Sequence, residues 1–253
     1  MKRRREVAAA FGAVADEYEE HAQVQRHAAR RLADTLPALH LPEQPRVLEL
    51  GCGSGLLSRH LLRQRPRGHF LLTDASWAMV RTVRQRVTGK NCRYAVMDGE
   101  HPAVATGLDL IVSGLTWQWF GDPLGSFVKL VEWLRPGGWL ALSTLGASTF
   151  QEWRDACEVA GAPCGILSYP GRADWEERFP PTGQGSLAEE VHVVPHLSAL
   201  AFLQGLRAVG ADRPAPGHRP LTAGELRRVL RRHQRAFNVT YRIYYVLYQK
   251  GIG

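Results

Sequence analysis

Apolar residues along the middle of the chain follow two alternating patterns. Short, mostly apolar runs predict buried strands, and the amphipathic stretches between them predict helices. The predicted strands are residues 47–50, 69–74, 92–99, 108–114 and 139–145, followed by less regular ones at 190–194 and 239–249. Strands that alternate with helices are typical of an α/β domain. The length of 253 residues fits one such domain with an insertion better than two domains.

The first part of the chain predicts one or two helices over residues 6–36. Apolar and aromatic residues recur there at helical spacing, and Pro37 and Pro42 end the pattern. An amphipathic helix packed on the sheet explains most of this stripe. It explains Tyr18 and His21 less well, because their polar tips need partners when buried. We therefore expect Tyr18 and His21 to help close a site.

The first strand runs into a glycine-rich turn that begins at Gly51 and contains Gly53 and Gly55. A dinucleotide-binding turn would place its third glycine at residue 56 and has no need for an acid at Glu49. A ligand with an ammonium and a sulfonium group tolerates that acid, whereas a pyrophosphate does not. The stretch resembles motif I of the class I S-adenosylmethionine-dependent methyltransferases. The alternative is a purely structural turn.

Two further strands end in acids. Asp74 follows the second strand about twenty residues after the glycine turn, at the interval of an acid that accepts hydrogen bonds from ribose hydroxyls. The alternative role for Asp74 is as N-cap of the next helix, and both roles are compatible. Asp98 and Gly99 close the third strand, where a carboxylate can accept from an adenine amino group.

The fourth strand ends at Gly114 and leads into Trp117-Gln118-Trp119. We count Gly114 with the cofactor residues. Two tryptophans around a polar residue, just beyond the carboxyl end of a strand, predict the wall of a substrate crevice. Packing in the core is the alternative, in particular for Trp119.

The formal net charge is +8, and nearly all of the basic residues are arginines. Genomic composition alone explains this bias, and an acidic partner is the alternative. A helix predicted over residues 222–237 carries five arginines on one face: Arg227, Arg228, Arg231, Arg232 and Arg235. This face is either a solvated surface or a docking site for an acidic protein.

The cysteines, the start of the chain and the length of its apolar stretches bear on metal binding and cellular location. The four cysteines show no pairing with histidine at metal-ligand spacing, so we expect no metal site and a reduced, cytoplasmic protein. The basic and apolar start of the chain imitates a secretory signal, but Glu6 interrupts it and the helical pattern continues, so we reject a signal. The sequence has no apolar stretch of membrane-spanning length, and we expect no membrane partner.

Several segments outside the three strand ends resemble the malonyl-[acyl-carrier protein] O-methyltransferases, the BioC family of biotin synthesis. They are the Ala/Phe/Tyr/His pattern of residues 9–22, the Trp-Gln-Trp loop, residues 203–211, residues 221–226 and residues 239–242. The resemblance implies a doubly wound, mostly parallel sheet of seven strands with an antiparallel last strand. It also implies a single domain over 1–253, with a helical lid at 1–42, a cofactor-binding core at 43–145, a substrate-side helical insertion at 146–220 and a last helix and strand at 221–253.

The same resemblance implies the reaction. S-Adenosylmethionine would methylate the free carboxylate of malonyl-acyl carrier protein, or of malonyl-CoA, and an ionised acid needs no general base. An arginine is expected to hold that carboxylate, and we assign Arg207, where the family usually has lysine. A second departure is Trp77, which interrupts the usual pattern after Asp74 and weakens the assignment of the acyl substrate.

Two other functions stay open on the sequence alone. A methyltransferase for another small molecule, such as a quinone, would share the strand-end residues but not the segments outside them. An RNA-binding module would use the arginines, but the chain lacks the interleaving of aromatic and basic residues typical of such surfaces, so we expect no nucleic-acid partner.

Overall fold

A computed structural model describes residues 2–252 of the chain. Seven strands form one sheet in the order β3-β2-β1-β4-β5-β7-β6. β7 runs antiparallel to both of its neighbours, whereas the strands from β3 to β5 pair in parallel. The predicted α/β class, strand number and antiparallel last strand are therefore confirmed. The strands are β1 Arg46–Leu50, β2 His69–Asp74, β3 Cys92–Val96, β4 Leu108–Gly114, β5 Leu134–Leu145, β6 Gly183–His196 and β7 Phe237–Lys250.

Helices cover both faces of the sheet. Val112 of β4 packs into an apolar cluster with α3 and α4, while the adjacent Ile111 packs into a second cluster with α6 and α8 on the opposite face. Successive side chains of a strand point to opposite faces, so a central strand between two helical layers is apolar throughout. The helices are α1 Lys2–Ala13, α2 Tyr18–His21, α3 Gln23–Thr35, α4 Ser58–Gln64, α5 Trp77–Arg86, α6 Pro123–Val131, α7 Gln151–Val159, α8 Arg172–Glu176, α9 Ala199–Ala208 and α10 Ala223–Arg231.

The sheet reverses its direction of growth between β1 and β4. β1 pairs with β2 on one side and with β4 on the other, so the connections from these strands leave in opposite directions. A crevice opens at the carboxyl ends of parallel strands at such a point, and it is the usual ligand site of open α/β sheets. The predicted strand-end residues all meet there.

Several element boundaries differ from the prediction. The N-terminal segment forms three helices, because the chain leaves helical geometry after Ala13 and again at Ala22, where ψ is 49°. α10 ends at Arg231, and Phe237 begins β7 instead of ending the helix. β6 spans 14 residues and pairs along its whole length with β7, so tertiary pairing overrides the weak strand propensity of its glycine-containing start. The strand predicted at residues 190–194 lies within this longer strand.

The N-terminal helices lie over the carboxyl end of the sheet. α1 approaches α5 so closely that a Cβ at Gly12 would lie 2.7 Å from Ser76 Oγ. α3 is tied to β6 through His27, which is hydrogen-bonded to Glu190 and stacked on His192 with ring centroids 4.4 Å apart. Within residues 2–252, no helix is both long and apolar enough to cross a membrane.

Candidate cofactor and substrate site

A cavity of about 400 Å³ occupies the crevice between the sheet and the N-terminal helices. This volume lies in the range of small-molecule and cofactor sites. The structure brings all eight residues that the sequence assigned to a cofactor to its wall: Tyr18, Glu49, Gly51, Gly53, Asp74, Asp98, Gly99 and Gly114.

The glycine turn after β1 forms the floor of the cavity. Gly51 and Gly53 have φ angles of 68° and 53°, in the left-handed region that favours glycine. A Cβ at Gly51 would lie 2.1 Å from Thr116 Oγ1, so a side chain there would separate the turn from the end of β4. A Cβ at Gly53 would meet nothing within 4 Å. The backbone at Gly53 therefore faces open space, where a ligand can approach it closely.

Asp74 joins β2 to the glycine turn. Its Oδ2 accepts from Gly53 N–H at 3.0 Å, and its Oδ1 accepts from Ser76 N–H at 2.8 Å. The N-cap of α5 is Ser76, whose Oγ accepts from the N–H of Met79, so Asp74 is not the helix cap. Each carboxylate oxygen has a second lone pair, and these remain for donors in the cavity. Burial raises the pKa of Asp74, although the backbone donors partly oppose this shift.

Glu49 is almost fully buried at the end of β1, with 1% of its surface exposed. Its Oε2 accepts from Ser58 Oγ at 2.6 Å, at the start of α4. Burial raises the pKa of Glu49 to about 8, the bond from Ser58 opposes this shift, and the negative charge of Asp74 adds to it. A cation in the cavity would favour the ionised carboxylate and would therefore lower the pKa of Glu49.

The opposite end of the cavity is built by Asp98 and Gly99. A Cβ at Gly99 would lie 2.9 Å from the ring of Phe120, so this position admits only glycine without movement of the ring. Arg4, from α1, forms ion pairs with both Asp98 and the buried Glu100. Arg4 was not among the predicted site residues, although its spacing of seven residues from Phe11 places both on one face of α1.

Aromatic side chains from the N-terminal helices roof the cavity. Phe11 packs edge-on against Trp119, with ring centroids 5.5 Å apart, and lies 6.3 Å from the ring of Tyr18. Tyr18 is 8% exposed. Burial and the negative charge of Asp74 raise the pKa of Tyr18, so its hydroxyl stays protonated at neutral pH and can donate a hydrogen bond.

Comparison with known proteins identifies the family. Residues 21–234 match the methyltransferase-domain family Methyltransf_23. Over 240 residues the chain is 44% identical to malonyl-[acyl-carrier protein] O-methyltransferase of Magnetococcus marinus, and the match covers 92% of this chain and 88% of that protein. The chain belongs to the malonyl-[acyl-carrier protein] O-methyltransferase family.

A second relative and a solved structure are also similar to the chain. The chain is 44% identical over 251 residues to the biotin biosynthesis bifunctional protein BioCD of Bordetella avium, and the match covers 98% of this chain but 53% of that longer protein. The YcgJ protein of Bacillus subtilis superposes with a TM-score of 0.64 at 13% identity, over 88% of this chain and 99% of that one. The second likeness shows a shared fold.

The structure corrects two of the substrate-site predictions for the methyltransferase. Trp117 is fully buried beneath the crevice, where its Nε1 donates to Pro123 O at 2.8 Å, and it does not line the cavity. Gln118 also turns away and donates to Leu115 O at 2.7 Å. Trp119 does line the cavity. The three residues form one turn of 3₁₀ helix, in which successive side chains point in three different directions, so one tryptophan enters the core and the other the site.

Two other predicted residues lie outside the cavity. The side chain of Arg207 is 84% exposed on α9, is 3.4 Å from Asp212 and does not line the cavity, so its role at the substrate carboxylate stays a prediction. His21 is exposed at the end of α2 and does not reach the cavity that Tyr18 lines. Tyr18 and His21 both lie on α2, but only Tyr18 lines the cavity.

The sequence predicts no metal site in the methyltransferase, since its cysteines and histidines lack ligand spacing. The fold nevertheless brings His27, Glu190 and His192 together, with ligand atoms within 4.8 Å of one another. Glu190 already accepts from His27 and from Arg31. Its charge is therefore matched by basic groups of the chain, and the cluster serves to hold α3 against β6.

Proposed function

We propose that the protein uses S-adenosylmethionine to methylate the free carboxylate of a malonyl group carried by acyl carrier protein, an early step of biotin synthesis. The observation that carries the proposal is the cavity built from three acidic strand ends and two glycine turns. Its support is the 44% identity to the relative named for this reaction.

The cavity fits the proposed cofactor at three points. Gly53 presents its backbone to open space, as the close approach of a methionine moiety requires. Asp74 has lone pairs free for two ribose hydroxyls. Asp98 and the backbone of Gly99 lie at the far end for an adenine ring, and the pairing of Arg4 with Asp98 holds α1 over that end.

The chemistry assigned to the site is simple. When bound, S-adenosylmethionine supplies a methyl group activated by its sulfonium, and transfer to a carboxylate oxygen forms a methyl ester, leaves a neutral thioether and moves no proton. A malonyl carboxyl group is ionised at neutral pH, so the protein supplies no general base. Its residues instead orient the two reactants and exclude water. Phe11, Tyr18 and Trp119, which roof the cavity, perform the second task.

The partner is proposed to dock on the arginine face of α10. Arg227, Arg228 and Arg231 lie on α10, and Arg232 and Arg235 follow it; all five are exposed. Within residues 2–252, none of the five forms an ion pair with an acidic side chain. Their charges are therefore available to an acidic protein, and such a surface steers the encounter of oppositely charged partners.

The direct experiment is incubation of the protein with methyl-labelled S-adenosylmethionine and malonyl-acyl carrier protein. Label that enters the carrier protein and is released as methanol by mild base identifies a methyl ester. Acetyl-acyl carrier protein, which lacks the carboxylate, is the matched control and should stay unlabelled. Base-stable label, or equal labelling of the acetyl control, would refute a methyl ester on the malonyl carboxylate. Label entering a quinone but not the carrier protein would establish the alternative acceptor.

A further inference from the structure

Two arginine side chains near the carboxyl end of the sheet have unmet hydrogen-bonding capacity. Arg3 Nη2 and Arg154 Nε are shielded from solvent and have no hydrogen-bond partner among residues 2–252. The other buried, unpartnered polar atoms of the structure belong to uncharged groups. Burying a cationic donor without a partner is costly, so two such donors point to an anion that completes them.

Both guanidinium groups are fixed in place by backbone carbonyls. Arg154, on α7, donates from Nη2 to Leu167 O at 2.8 Å, and Arg3, on α1, donates from Nη1 to Pro214 O at 2.6 Å. Each group is thus held at one nitrogen while another nitrogen stays unpaired. An arginine held in this way is already oriented, so a ligand that binds it does not have to order a mobile side chain.

The two arginines meet around Tyr169. The chain reaches Tyr169 two residues after the carbonyl that holds Arg154. Ala215 N–H donates to Gly165 O at 2.8 Å, so the Pro214 carbonyl that holds Arg3 lies beside the segment 165–167, whose last carbonyl holds Arg154. Burial raises the pKa of Tyr169, and the positive charges of Arg154 and Arg3 oppose this shift. Tyr241 packs edge-on against Phe150, with ring centroids 4.8 Å apart, at the start of the helix α7 that carries Arg154. Burial raises the pKa of Tyr241, so its hydroxyl is neutral. The cluster therefore combines two cations with two neutral hydroxyl donors.

This cluster lies one strand away from the cofactor cavity. Gly114, at the cavity wall, pairs with Ser143 of β5, and neighbouring strands are about 4.8 Å apart. β5 ends two residues later, and there Ala147 N–H donates to Pro170 O, directly after Tyr169. Tyr169 and Tyr241 also pack against the apolar cluster that contains Leu115, another residue of the cavity wall.

We propose that Arg3, Arg154, Tyr169 and Tyr241 form the subsite that receives the free carboxylate of the malonyl group. This subsite rests on the proposed function and replaces Arg207 in the role expected from the sequence. A carboxylate has four lone-pair positions, so it can accept from both arginines and keep one lone pair directed at the methyl carbon. Because Arg3 belongs to α1, the bound carboxylate would also draw the N-terminal helix onto the site.

The test compares binding of malonyl- and acetyl-acyl carrier protein to the protein loaded with S-adenosylhomocysteine. Wild-type protein should bind the malonyl form more tightly. Arg3→Gln and Arg154→Gln should each weaken malonyl binding and raise KM by about 10- to 100-fold, the range for losing a hydrogen bond to a charged group. Binding of the acetyl form and of S-adenosylhomocysteine should not change. Arg154→Lys, which keeps the charge but not the fork, should lose less than Arg154→Gln.

The matched control is Arg178→Gln, an exposed arginine outside the cavity and the cluster, whose replacement should leave both measurements unchanged. Arg3 lies at the start of α1, so its replacement leaves the packed sheet intact even if Arg154→Gln disturbs the loop at Leu167. Equal affinity of wild-type protein for the malonyl and acetyl forms would overturn the subsite, as would an unchanged KM in both folded glutamine variants. Preferred binding of the malonyl form without any methyl ester would support the subsite and contradict the proposed function.

Discussion

Asp74 Oδ2 accepts a hydrogen bond from Gly53 N–H at 3.0 Å, which ties the end of β2 to the glycine turn after β1. We propose two tasks for the acid: it shapes the glycine turn, and it offers its remaining lone pairs to the ribose of the cofactor. At the end of β2 its carboxylate reaches the backbone N–H groups of Gly53 and Ser76 and also the cavity.

Asp74→Asn is predicted to lower the affinity for S-adenosylhomocysteine by about 10- to 100-fold, because two charge-assisted hydrogen bonds become neutral ones. The measurement is calorimetric titration. Asp122→Asn is the matched control: Asp122 caps α6 away from the cavity wall, so its replacement should alter stability slightly and affinity not at all. Equal affinity of wild-type and Asp74→Asn protein would remove Asp74 from the cofactor site.

The two tryptophans of the Trp-Gln-Trp turn should respond oppositely to truncation. Trp117→Ala should lower the free energy of unfolding by about 3–5 kcal/mol, as expected for a fully buried ring, and leave the cofactor affinity of the folded protein unchanged. Trp119→Ala should cost less stability but weaken cofactor binding, since it removes the contact with Phe11 over the cavity. Denaturant unfolding measures the stability of each variant, and titration with the cofactor measures its affinity. A reversed pattern would contradict the placement of the two rings.

Glu49 makes the stability of the ligand-free protein depend on pH. Its folded-state pKa of about 8 exceeds its ordinary value of 4.5, so the folded state holds the proton more tightly than the unfolded state. This contribution to stability is fully present below pH 4.5 and is lost as the pH rises to about 8. Glu49→Gln cannot titrate and should flatten the decline, as measured by denaturant unfolding across this range. An equally steep decline in Glu49→Gln would show that Glu49 is not its source.

Cofactor binding should release a proton from Glu49. The ammonium and sulfonium of S-adenosylmethionine favour the carboxylate, so near pH 7 binding should lower the pKa of Glu49 and expel its proton. Calorimetry in buffers of different ionisation enthalpy measures the number of protons released. Wild-type protein should release a proton that Glu49→Gln does not, and identical release by both would contradict the assignment of Glu49 to the cofactor cation.

The arginine face of α10 should act through long-range charge. Arg227→Glu combined with Arg231→Glu should raise KM for malonyl-acyl carrier protein at low salt but not KM for malonyl-CoA, and high salt should shrink the difference. Arg81→Glu combined with Arg84→Glu, two exposed arginines on α5, is the control of equal charge change. Equal effects of the two charge reversals would indicate net charge instead of a docking face.

The sequence predicted the site residues whose positions follow from the order of strands and turns along the chain. It did not predict those whose positions depend on the packing of distant segments. The acids and glycines at the ends of β1, β2 and β3 converge because parallel strands present their carboxyl ends at one edge of the sheet. Arg4 pairs with Asp98 across 94 positions of sequence, and no local pattern encodes that contact.

The residues expected on the substrate side of the site were also hard to predict from local sequence. Trp117 and Trp119 have the same local context and differ only by rotation about a short 3₁₀ turn. Arg207 and Arg154 are both arginines on amphipathic helices, and only the packing of α7 against the loop at Leu167 brings the second to the end of β5. An arginine-rich sequence offers many candidates, and the fold selects among them by burial.

Intact-protein mass spectrometry of the acceptor tests whether a methyl group is transferred to the malonyl carboxylate. An equimolar mixture of malonyl-, succinyl- and acetyl-acyl carrier protein is incubated with the protein and S-adenosylmethionine. The malonyl form is expected to gain the mass of one methylene first and the acetyl form none, and mild base should reverse the gain. No change in the malonyl form, or a gain that base does not reverse, would contradict it.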